Sequence, residues 1–91
     1  MQPKISEKEL KILAALSKVV KNKRLEKAKS QRLFADEYEL HSSMISRYEN
    51  CNSEPKLFSL WRVANALEIK PSEFFSLIEQ ELVEDIILIE E

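Results

Sequence analysis

"SQRLFADEYELHSSMISRYEN", residues 30–50, decides the fold. Ser30 is a good helix N-cap, because its hydroxyl can accept a hydrogen bond from a backbone N–H that the first helical turn leaves unpaired. Behind it, Leu33 or Phe34, Ala35 and Tyr38 recur at helical spacing over residues 31–38. Glu39-Leu40 breaks the pattern, and His41 or Ser42 offers a new cap. Met44, Ile45 and Tyr48 then give a second short helix, 41–50, its inner face. That helix stops at Asn50-Cys51-Asn52, where asparagine is the residue after glycine best suited to a left-handed backbone. The stretch therefore predicts two short helices joined by a tight turn.

The flanks extend the pattern. Ser6 with Glu9 forms a capping box ahead of a helix that runs to about Lys27. Leu10, Leu13, Leu16 and Val20 form its inner stripe, which Ile12 and Val19 widen. After Pro55, a fourth helix over about 57–67 carries Leu57, Leu60, Trp61, Ala64 and Leu67. Pro71 belongs near the first turn of a fifth, where its missing N–H costs nothing. Tyr38, Tyr48 and Trp61 are expected in the core. No Gly-rich or Ser-rich linker divides the chain, so the expectation is one all-α domain of five helices.

Composition narrows the function. Ninety-one residues, 44% hydrophobic and 33% charged, suit a small globular domain rather than a disordered or membrane chain. The apolar run Ile86-Ile87-Leu88-Ile89 is far too short to span a bilayer, and the first residues lack a signal-peptide core. A cytoplasmic location is expected. One Cys51 and one His41 make neither a disulfide nor a zinc site, and no catalytic constellation surrounds them, so neither an enzyme nor a cofactor is expected. The net charge of -2 hides an asymmetry. Residues 1–32 hold ten Lys or Arg against three Glu, whereas residues 76–91 hold six acids and no base. An anionic partner responds to such local charge within about a Debye length, not to the sum.

At this point "SQRLFADEYELHSSMISRYEN", the following Pro55 and "LFSLWRVANALEIKPSEFF" resemble the Cro/CI-type helix-turn-helix family, the phage lambda repressor-like, xenobiotic-response-element proteins. The resemblance covers about residues 16–76 and rests on the Ser-Gln opening, the central Ala35, the Ile-Ser-Arg-x-Glu-Asn run and the Ala-x-Ala-Leu of the fourth helix. It implies a DNA-binding domain whose helix 41–50 enters the major groove, where residues at the N-terminal end and outer face reach base edges. Carried over by position, Ser42, Ser43, Ser46 and Arg47 are the base readers. Arg47 is the most informative, since its fork can take guanine O6 and N7 together. The serines can contact almost any base, or simply cap the helix. Gln31, Asn50, Lys56 and Lys23 are implied phosphate contacts. Arg24 and Glu49 match an ion pair of the family whose role is structural.

The chain departs from the family pattern at Glu39 and Cys51, where glycine is usual. A left-handed backbone at each would cost on the order of 1–2 kcal/mol. Lys29 stands where the family has an apolar residue. Residues 5–15 add turns to the first helix. Residues 1–76 then form the DNA-binding domain and 77–91 an acidic, apolar extension. Phe75, Ile78, Leu82, Ile86 and Ile89 keep helical spacing and predict that the last helix runs on, although the β-branched "DIILIEE" also suits a strand. This stripe either packs back on the first helix or forms a homodimer interface.

The function expected is a dimeric transcriptional repressor on double-stranded DNA with an inverted-repeat operator. The rival reading is a protein-interaction module on the same fold, antitoxin-like, binding a protein partner through the tail.

Overall fold

The computed structural model describes residues 5–27, Glu49 and 54–89. Three complete helices lie among them, α1 (Glu7–Glu26), α2 (Leu57–Ala66) and α3 (Pro71–Glu81), and no strand. The chain is all-α. The two further helices expected over 31–38 and 41–50 fall outside the described residues except for Glu49, which is helical, so the described residues give three helices and not a count of five.

α1 starts where its local chemistry dictates. The Glu9 N–H donates to Ser6 Oγ at 3.2 Å, and the Ser6 N–H donates back to Glu9 Oε1 at 3.0 Å, which satisfies two otherwise orphaned donors. The Ser6 N–H, first among the causes, holds the Glu9 carboxyl below its ordinary range. Lys23 and Arg24 occupy the last turn, the end at which the helix dipole favours cations. Leu13, Leu16 and Val20 are buried, as are Ala15 and Val19, whereas Leu10 is exposed. The buried face is therefore turned toward Val19 relative to the expected stripe.

α2 departs further from expectation. Val63, Ala64 and Leu67 are buried and Leu60 packs against them, the i, i+3, i+4, i+7 pattern that begins at Leu60. Leu57 and Trp61, expected inside, are 62% and 55% exposed. The apolar residues of "LFSLWRVANAL" fit two overlapping stripes, and the core takes the one with the smaller side chains.

The α2–α3 turn is a Schellman motif built without glycine. The Ile69 N–H donates to Ala64 O at 3.1 Å and the Glu68 N–H to Asn65 O at 3.0 Å. Glu68 between them has φ 61°. Pro71 occupies the first turn of α3. Phe74 and Ile78, one turn apart, enter the core between α1 and α2. Phe74, Val20 and Val63 are fully buried, each a gain of roughly 1.5–3 kcal/mol over exposure.

α3 ends at Glu81. Leu82 turns to an extended backbone, φ -83° and ψ 136°, and residues 82–89 are neither helix nor strand. The expected run of helix through Ile86 and Ile89 is thus replaced by a return along α1. Lys18 meets Glu81 at 3.5 Å, Lys11 meets Glu84 at 3.8 Å, and Lys8 Nζ donates to the Ile87 carbonyl at 3.0 Å. The tail advances as α1 recedes, so the two run antiparallel. Among the described residues, no helix is long and apolar enough to cross a membrane.

Candidate nucleic-acid interface

The anchor of the site is a buried charge pair. Arg24 Nε donates to Glu49 Oε2 at 2.8 Å and Nη2 to Oε1 at 2.9 Å, a two-point fork. The side chains are 9% and 3% exposed. The hydrogen bond to Glu49, first among the causes, raises the Arg24 pKa above its ordinary value, while burial acts the other way. Ser17 Oγ, two turns before Arg24 on the same face of α1, donates to the Glu49 backbone carbonyl. Side chain and main chain of residue 49 are therefore both tied to α1. Arg24 and Glu49 are 25 positions apart, so this pair fixes a long-range geometry rather than a local turn. It also leaves neither charge unpaired in a poorly hydrated place, where a lone charge would be costly.

The other phosphate candidates among the described residues are less committed. Lys23 sits beside Arg24 and pairs with Glu26 at 3.3 Å. Lys56 is exposed at the N-cap of α2 and makes no side-chain capping bond. Gln31, Ser42, Ser43, Ser46, Arg47 and Asn50 lie outside the described residues, as do Lys29, Tyr38, Glu39, Tyr48 and Cys51. Among the described residues, no group of three His, Cys, Asp or Glu is placed to hold a metal ion.

The five residues of the apolar stripe do not share one free face. Ile78 is buried in the chain's own core, and Leu82 packs against that core. Ile86 is half-buried, whereas Phe75 and Ile89 are 46% and 81% exposed. Sequence reasoning missed three features. Ser17 shares a face with Val20 and Arg24, a signal that was present. The Lys27–Glu68 pair at 3.1 Å links the end of α1 to the α2–α3 turn. The tail acids neutralise lysines of α1 that composition alone would offer to an anion.

The profile of the Helix-turn-helix family matches residues 20–74, more than half of the chain and the part that includes both Arg24 and Glu49. The chain belongs to the helix-turn-helix family, Cro/CI type. Two solved structures resemble this helix-turn-helix protein. The wild-type restriction-modification controller protein C.Esp1396I has a TM-score of 0.70 at 28% identity, over 81% of this chain and 95% of that one. A tyrosine-to-phenylalanine variant of that controller has a TM-score of 0.68 at 32% identity, with the same coverage. No curated protein sequence matches the chain significantly. Family membership carries the coarse role of a DNA-binding regulator of transcription.

Proposed function

We propose that the chain is a sequence-specific repressor that binds double-stranded DNA as a homodimer and reads the major groove with residues 41–50. The observation that carries this reading is the buried two-point Arg24–Glu49 pair, reinforced by Ser17. It supports a recognition helix held rigidly on α1, because a helix that swivels cannot keep a bidentate base contact within hydrogen-bond distance. In this reading Arg47 takes a guanine edge, and Ser42, Ser43 and Ser46 add contacts of low information. Gln31, Asn50 and Lys56 hold phosphates, with Lys23 available once it leaves Glu26. Similarity to a restriction-modification controller suggests genes of such a system as targets.

The dimer belongs to the proposal because one short helix reads few base pairs, whereas a symmetric pair reads two half-sites about 34 Å apart. Its interface is better sought on α2 than on the stripe from Phe75 to Ile89. Leu57, Phe58 and Trp61 are 62%, 72% and 55% exposed on one side of α2, a helix without an acidic residue. A large apolar face of this kind, with Arg62 at its edge, suits an isologous contact.

Arg47→Ala tests the reading. The expected result is a loss of about 1–3 kcal/mol on the cognate site, a relaxed preference at one base, and little change on random DNA. Equal losses on cognate and random duplexes in a binding titration at fixed salt would reduce Arg47 to a phosphate contact.

A further inference from the structure

Four parts of the chain converge on an apolar groove of about 680 Å³: α1, the Glu54-Pro55 segment with Leu60, α3 and the returning tail. Leu13, Leu16 and Ile78 of the core form its floor, and Ile12, Phe75 and Leu82 line its sides. Its mouth is apolar too, since Phe75, Ile87 and Leu88 are 46%, 61% and 55% exposed. The charged residues among its described lining are Glu9, Glu54, Glu79 and Asp85, all acidic and contributed by all four parts of the chain.

We propose that this groove binds an amphipathic helix of a protein partner, with an apolar stripe on the floor and Lys or Arg flanks against the four acids. An apolar trough between packed helices is the form that helix-in-groove recognition uses. The acids of the described lining favour a basic occupant. DNA is repelled by it. A second copy in symmetric register would set acid against acid, which opposes an isologous contact. A basic helix meets neither objection, and its flanks would raise the association rate as well as the affinity. The groove is separate from Arg24 and Glu49, so the proposal does not rest on the DNA reading.

The test pans a displayed library of random-sequence helical peptides on the full chain. Enriched peptides are expected to carry leucine, isoleucine or phenylalanine at i, i+3, i+4 and i+7 with lysine or arginine beside them. Their binding should weaken at least about tenfold on Glu79→Lys/Asp85→Lys and on Phe75→Ser, a change of about 1.4 kcal/mol. Circular dichroism and DNA retention should stay as in the parent chain, since these side chains are exposed. The proposal is overturned by no enrichment, by neutral or acidic winners, or by winners that ignore the groove variants. It is also overturned if light scattering shows that the same variants split a dimer, which would assign the groove to a second copy.

Discussion

At the scale of single residues, two positions carry more than their size suggests. Arg24 and Glu49 form a buried fork, and loss of one partner leaves the other charged and poorly hydrated. Glu49→Leu should destabilise the fold by about 3–5 kcal/mol, whereas Arg24→Met with Glu49→Leu should cost clearly less than the two single changes added. Denaturant titration of the four chains in that cycle measures the coupling, and additive losses would contradict a direct pair. Neither partner is visible to periodicity. Their link rests on the family resemblance, because a separation of 25 positions hides it from any local window. The other position is Glu68, a glutamate at φ 61° in a site that favours glycine or asparagine. Glu68→Asn should be neutral or mildly stabilising, and Glu68→Val should cost on the order of 1–2 kcal/mol, because a β-branched side chain crowds that backbone. Equal thermal midpoints for the two variants would contradict the strain. The sequence pointed to Glu39 and Cys51 for left-handed backbone and gave no sign of Glu68, since the Schellman turn follows from where α2 stops.

At the scale of elements, legibility tracked how local the signal was. The start of α1 was readable because Ser6 and Glu9 make their two bonds to each other. Pro71 was readable for the same kind of reason, its ring fixing the backbone where a helix begins. The facing of α2 was not readable. Leu57, Trp61 and Ala64 form as good a stripe as Leu60, Val63, Ala64 and Leu67, and it is the second that joins the core with Phe74 of α3. The tail misled for a related reason. Leu82, Ile86 and Ile89 sit at helical spacing, yet the chain leaves the helix at Leu82 and its acids find the lysines of α1. Those pairs are exposed and worth little singly, so packing of Leu82 and Ile86 must hold the tail. Leu82→Asp should therefore cost about 1–3 kcal/mol, and Ile89→Asp, at a position 81% exposed, less than about 0.5 kcal/mol. Similar losses at both sites in thermal melts would favour one continuous apolar face instead.

At the scale of the whole molecule, the conflict between an acidic chain and an acidic ligand disappears once charge is located. The bases concentrate in residues 1–32 and the acids in residues 76–91. The structure refines this division. Lys11 and Lys18 have Glu84 and Glu81 beside them, so the local positive potential there is lower than composition suggests. Lys23 and Arg24 lie in the last turn of α1, the helix end away from those two pairs. Among the described residues the chain combines a core of three helices with an acid-lined groove, and Glu49 is tied to α1 by Arg24 and Ser17. Selection of bound sites from random duplex DNA, with the number of chains per duplex counted by light scattering, tests the central claim most directly. The account predicts an enriched inverted repeat with half-sites about 34 Å apart, occupied by two chains. Failure to enrich any sequence at low salt, where phosphate contacts are strongest, would contradict it.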